Sequence, residues 1–251
     1  IRDDSMIPKI IHYCWFGGKE LPQEAKECIE SWKKFLPNYE IKRWDERSFD
    51  VNSCKYTNGA SEEKKWAFVS DYARFWILYN YGGVYFDTDV ELIAPIDDII
   101  EKGPFMGCEP SREGKINVNP GLGLAANPGC PFLKNMLKKY NTMEFKSKKD
   151  GKLDTIVDIT TEELLKEGYV GENEIETVAG YNIYPTDYFC PMNPVNGKLI
   201  ITENTCSIHH YSASWQSKYS RLKTKVQRCI GENMTEQIIS LKKFFLKDNT
   251  R

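Results

Sequence analysis

The chain has 251 residues and a formal net charge of −2, with Lys and Arg scattered among Asp and Glu, which excludes the basic stripe of a general nucleic-acid binder. Its 41% apolar share suffices for a sizeable core, and its longest apolar stretch, around Phe75 to Val84, carries Asn80 and two glycines, far short of a membrane span. Its eight cysteines include no C-x-x-C pair, so a structural zinc site is not expected, and those set in apolar runs, as Cys14 is in IIHYCWF, read as free thiols of a reducing compartment.

In chain order, residues 1–5 read as lead-in, with Met6 as the expected natural start and no signal peptide ahead of the core. The apolar run KIIHYCWF (9–16), ended by Gly17-Gly18, predicts a buried strand. Pro22 opens a helix with Ala25, Ile29, Trp32 and Phe35-Leu36 at helical spacing, and Pro37-Asn38 stops it. The alternating segment YEIKRWD (39–45) predicts a second strand, and a strand–helix–strand unit of this kind implies a parallel pair. A long helix is expected from about Glu62 to Tyr81, closed by Gly82-Gly83, and VYFDTDVEL (84–92) reads as one further strand. Short strands are expected at 104–109 and 122–126, a helix from Pro131 to about Tyr140, and a Lys-rich loop over 142–154. A helix over 161–167 and late strands at 181–185 and 206–211 complete the core. Residues 225–247 carry a helical pattern with basic residues near its end. With no repeat and no linker-rich stretch, the expectation is a single α/β domain over 1–251, with a catalytic core at 6–215 and a helical tail at 216–251.

Two features in this layout carry chemistry. Asp87-Thr88-Asp89 follows the apolar run Val84–Phe86, and ionised carboxylates beside a core ask for a cation because burial strips their hydration. Read as strand residues, Asp87 and Asp89 share a face, and hard oxygen ligands suit Mg²⁺ or Mn²⁺ rather than Zn²⁺. By itself a D-x-D is more often a pair of solvated turn residues; the preceding helix, Gly-Gly and apolar strand distinguish this one. Within the helix, Asp71 and Arg74 lie three apart and so share a face. Their flanks, Trp66, Phe68, Phe75 and Trp76, argue for a cleft-lining pair rather than a solvated one.

Three segments, IPKIIHYCWFGG (7–18), SDYARFWILYNYGGVYFDTDVEL (70–92) and SIHHYSASW (207–215), together resemble the glycosyltransferases whose sugar-binding region contains the DXD motif. That group includes bacterial capsular-polysaccharide transferases and Och1-like mannosyltransferases, and shares its core with clostridial glucosylating toxins. The resemblance implies a GT-A type fold, a Rossmann-like mixed sheet flanked by helices. It also implies a UDP- or GDP-linked sugar donor, a Mn²⁺ or Mg²⁺ ion, a glycan or lipid-linked acceptor and retention of anomeric configuration, with a place in surface or capsular polysaccharide synthesis. Carried over by position, Trp15 would stack on the nucleotide base beside Phe16 and Gly17. His12 would lie near the nucleotide or pack in the core. Asp71 and Arg74 would hold donor hydroxyls. Asp87 would touch ribose and metal, and Asp89 would coordinate the metal directly. Trp215 would close over the diphosphate, with His210, favoured over His209, as a further metal ligand. Asn119 would lie near the sugar or serve only as a turn former ahead of Pro120-Gly121, and Glu109 is either a carboxylate near the sugar or a surface residue. The segment Asp158–Thr161 lacks the Thr-Gly-Pro that relatives often carry there. A cytoplasmic protein is expected, and LKKFFLK (241–247) is either a basic amphipathic contact with the inner membrane face or an ordinary packed helix. The competing readings are a haloacid-dehalogenase-like phosphatase, in which D-x-D normally follows the first strand, and a carbohydrate-binding protein without catalysis.

Overall fold

A computed structural model of the chain describes residues 6–111, 114–145, 154–193 and 197–211. The expected strand–helix–strand unit is present as β1 (Ile10–Cys14), α1 (Gln23–Phe35) and β2 (Glu40–Trp44), with β1 and β2 parallel. The chain continues through α2 (Lys55–Glu62), α3 (Trp66–Tyr81), β3 (Gly83–Tyr85) and β4 (Val90–Leu92), then α4 (Asp97–Glu101), β5 (Phe105–Pro110) and β6 (Ile116–Ala126). It finishes with α5 (Pro131–Thr142), α6 (Ile156–Lys166), β7 (Glu176–Val178), β8 (Tyr181–Tyr184), α7 (Thr186–Phe189) and β9 (Ser207–His209). Seven strands form one mixed sheet in the order β2-β1-β3-β6-β5-β8-β7, and β4 pairs with β9 in a separate two-stranded sheet. This is the mixed sheet with flanking helices that the sequence led us to expect; the predicted tail helix lies outside the described residues.

The period-two alternation of the central strands feeds two cores. Val84 and Phe86 pack with Ile11, Tyr13, Trp32 of α1 and Leu36 just after it. Tyr85, between them, packs in a second core with Cys14 and the α3 residues Val69, Phe75 and Leu78. Helices α1 and α3 therefore contribute to different apolar clusters, and all these side chains are less than a tenth exposed.

Several predicted boundaries move. The long helix expected from about Glu62 starts at Trp66; a separate helix, α2, that the sequence reading did not foresee ends at Glu62, and between the two Lys64 adopts a left-handed φ of 56°. The predicted strand 84–92 is interrupted: Val90 N–H bonds back to the Asp87 carbonyl at 3.1 Å, so the acidic pair sits in a turn between β3 and β4. The strand rule therefore does not put Asp87 and Asp89 on one face. The second half of this segment leaves the large sheet because α1 captures it. Trp32 donates its indole N–H to the Val90 carbonyl at 2.8 Å, and Ser31 Oγ accepts from Leu92 N–H at 2.9 Å. The two short strands expected at 104–109 and 122–126 are paired antiparallel, with a register shift between Met106 and Gly107, and the second runs back to Ile116. Asn119 thus lies within β6. Helix α6 starts earlier than predicted because Thr155 and Asp158 form a capping box.

Candidate functional site

Parallel strands β1 and β3 are adjacent, so the segments that follow them, Trp15–Gly18 and Asp87–Asp89, leave the sheet at the same end. Ligands of open α/β sheets bind at that carboxyl end. Asp87 is the best-anchored acid there. Its Oδ2 accepts from Arg74 Nη1 at 3.3 Å, and its Oδ1 lies 3.2 Å from Arg74 Nη2 and 3.1 Å from the Tyr85 hydroxyl that donates to it. The Arg74 guanidinium lies 4.7 Å from the Tyr85 ring centroid, a cation–π contact, and also bonds Asp71 Oδ1 at 3.0 Å. Arg74 is buried, and a buried guanidinium with two carboxylates is a tertiary element rather than a surface pair. Burial pushes the Asp71 carboxyl up to about 7 against the pull of Arg74, with Asp87 adding to the rise.

Gly121, on β6, makes this arrangement fit: a Cβ there would lie 1.9 Å from Asp87 Oδ2, while its carbonyl accepts the Asp87 N–H at 2.9 Å. Next to it, Asn119 accepts from Gly121 N–H at 2.7 Å and donates to Glu109 Oε2 at 2.8 Å. Asn119 is therefore a buried bridge between the Asp87 support and a carboxylate. Burial raises the Glu109 pKa, opposed by His209 and by the Asn119 hydrogen bond.

Asp89 faces a histidine, and the structure chooses which one. His209 Nε2 lies 3.3 Å from Asp89 Oδ1, whereas His210 Nε2 is 2.7 Å from Glu91 Oε2. The reason is strand alternation: β9 pairs antiparallel with β4, and His209 and His210 project to opposite sides. His209 replaces His210 as the imidazole beside Asp89. Burial works to lower the His209 pKa, but the Asp89 carboxylate and the Cys190 thiol outweigh it and hold it well above the ordinary value. The side chains of Asp87 and Asp89 remain 31% and 19% exposed, so both can still meet a ligand. Two carboxylates and one imidazole have the chemistry of a Mn²⁺ or Mg²⁺ donor set, although the described residues do not bring these three ligand atoms as close together as those of Glu109, Cys190 and His209.

The other residues predicted for the site divide. His12 is fully buried; its Nε2 bonds the Gly82 carbonyl at 2.9 Å and its Nδ1 accepts from Trp44 Nε1 at 3.1 Å. Both nitrogens are thus engaged within the core, the alternative that the sequence left open for this residue, and burial lowers its pKa to about 4. Phe16 is likewise buried, edge-on to Phe49 with centroids 5.9 Å apart, so it supports the loop rather than the ligand. Trp15 is half-buried, its indole N–H donated to the Lys19 carbonyl at 2.8 Å. Gly17 has φ +92° and donates its N–H to the Glu46 carboxylate; a Cβ there would meet the Trp66 indole at 2.5 Å. Trp215 lies outside the described residues. Sequence reading had no signal for Tyr85 or Cys190, because each joins the site through a contact that only folding makes.

Residues 22–106 match the family described as a glycosyltransferase sugar-binding region containing a DXD motif. Among known proteins, an uncharacterized glycosyltransferase of Acanthamoeba polyphaga mimivirus is 25% identical over 222 residues, covering 84% of this chain and 84% of that one. Inositol phosphoceramide mannosyltransferase 1 of Schizosaccharomyces pombe is 29% identical over 149 residues, covering 55% of this chain and 45% of the yeast protein. A solved glycosyltransferase involved in glycosylation of the major capsid of PBCV-1 aligns with a TM-score of 0.49 at 12% identity, over 87% of this chain and all of that one. The resemblance carried by Ser70–Leu92 thus stands: residues 22–106 match a DXD-type sugar-binding region, and the relatives named above are glycosyltransferases. The chain spans less than half the length of the yeast relative.

Proposed function

We propose that this chain transfers a hexose from a UDP- or GDP-linked donor to a glycan or lipid-linked acceptor, with Mn²⁺ or Mg²⁺ held by Asp89, Asp87 and His209. The observation that carries the reading is that two contact groups, Asp71–Arg74–Asp87 and Asp89–His209, flank the same turn after β3. The bound ion would act as a Lewis acid toward the charge that develops on a departing nucleoside diphosphate. The chain's own residues do the rest. Arg74 and Tyr85 hold Asp87 by both oxygens, so it meets the donor in one orientation. Asn119 holds Glu109 toward the same end, a carboxylate suited to steady positive charge on the sugar carbon. Trp15 lies after the neighbouring strand, positioned for a nucleobase. Retention of configuration, a role in surface polysaccharide synthesis, a catalytic core at 6–215 and a peripheral membrane contact of the tail belong to the same proposal. No helix among the described residues is long and apolar enough to cross a membrane.

The test is Asp89→Ala assayed for metal-dependent sugar release on a panel of UDP- and GDP-sugars. A fall of at least about a hundredfold is expected from loss of a ligand to the catalytic ion. Activity within twofold of the parent protein would end the metal assignment.

A further inference from the structure

Beyond the acidic pair, a second group of metal-ligating atoms lies behind His209. One ligand atom each from Glu109, Cys190 and His209 lies within 4.8 Å of the others. They come from three separate elements: Glu109 from β5, Cys190 from the end of α7 and His209 from β9. His209 Nδ1 is buried and lacks a partner at hydrogen-bonding geometry, although Cys190 is near enough to bear on the charge of the ring. Leaving such a nitrogen without a partner is unfavourable, and a ligand would relieve it. Tyr211 walls the group on another side: its hydroxyl lies 2.9 Å from Cys190 Sγ, and its ring centroid is 4.1 Å from that of His209. The residue takes a left-handed φ of 49° to do so.

We infer that Glu109, Cys190 and His209 form a binding site for a soft divalent ion of the zinc class, which shares His209 with the hard-ion site proposed at Asp87 and Asp89. One sulfur, one nitrogen and one carboxylate oxygen suit zinc, whereas Mg²⁺ and Mn²⁺ favour oxygen-rich sets. Three protein ligands leave a fourth position for water, as in open zinc sites. Binding replaces the Cys190 thiol proton and the proton on the coordinating nitrogen of the charged His209 by the ion, so protons are released and no oxidation occurs. The ion would engage Nδ1 of the imidazole whose Nε2 faces Asp89, so occupation would fix the tautomer that donates Nε2–H to that carboxylate. Cysteine spacing could not disclose the site, because its ligands, at positions 109, 190 and 209, include only one cysteine and follow no metal-binding spacing.

The test uses the full chain without any nucleotide-sugar, so its result does not depend on transferase activity. Zn²⁺ affinity is measured by competition with a chromogenic chelator, and Cd²⁺ is added separately to read the ultraviolet charge-transfer band of a metal-bound thiolate. Cys190→Ser should weaken Zn²⁺ by at least about tenfold and abolish the Cd²⁺ band. Glu109→Gln should weaken Zn²⁺ while keeping the band, which serves if the serine variant does not fold. Asp89→Asn, which removes only the outer partner of His209, should weaken Zn²⁺ less than Cys190→Ser does and keep the Cd²⁺ band. No Zn²⁺ binding by the parent chain, or binding and a Cd²⁺ band that survive Cys190→Ser, would overturn the site. Zn²⁺ lost in Asp89→Asn but kept in Cys190→Ser would place the ion at the acidic pair, leaving the transferase proposal intact and refuting this one.

Discussion

Asp87 is oriented by Arg74 and Tyr85 through contacts internal to the protein, and the Tyr85 hydroxyl is the most separable of them. Tyr85→Phe keeps the ring under Arg74 and removes only one hydrogen bond, so stability should fall by about 1 kcal/mol. Donor affinity measured by calorimetry in Mn²⁺ should drop about fivefold, because Asp87 then has one restraint fewer. Two buried titratable groups give opposite pH dependences. His12 has its pKa lowered from 6.5 to about 4, so the unfolded chain binds the extra proton first and stability declines as pH falls from about 6.5 through 4. The full effect is about 3 kcal/mol. Asp71 has its carboxyl pKa raised from 3.8 to about 7, so its contribution is fully present below 3.8 and is lost as pH rises through 7. Asp71→Asn deletes the second term and leaves the first. Its stability, from denaturant unfolding between pH 4 and 7, should therefore decline more steeply on acidification than that of the parent chain.

The turn between β3 and β4 depends on elements remote from it in sequence. Helix α1 holds β4 by Trp32 and Ser31, and β6 supplies the bare Cα of Gly121 against Asp87. A methyl group at 121 has no space beside Asp87 Oδ2, and the nearest Arg74 nitrogen is only 3.0 Å from the same point. Gly121→Ala should push the carboxylate off Arg74, lowering stability by about 1–3 kcal/mol. Mn²⁺-dependent donor binding should fall at least about tenfold, and a crystal structure of the variant should show Asp87 displaced. Elements with strong local signals were readable: α1 from its apolar spacing and Pro22, β1 and β2 from their runs, α5 from Pro131. The break at Asp87 was not, because Val84–Leu92 alternates well enough for one strand. What divides it is the capture of Val90 and Leu92 by α1, which no local window contains.

Across the described residues, each acid of the site has a cation in contact: Asp87 faces Arg74, and Asp89 faces His209. Charges so compensated need no bound ion to keep the fold. Chelation should therefore weaken nucleotide-sugar binding strongly while moving the melting temperature by no more than about 2 °C; a larger shift would mean that the ion is structural. The sequence by itself determined the α/β class, the two-faced central strands, the acidic pair and the Asp71–Arg74 spacing. Periodicity, turn residues and a short motif are properties of neighbouring positions. Only the tertiary structure decided that His209 rather than His210 meets Asp89, that His12 and Phe16 serve the core, and that Glu109 and Cys190 stand beside the site. Those outcomes depend on strand pairing between segments more than a hundred residues apart and on which nitrogen or oxygen remains unpaired after packing.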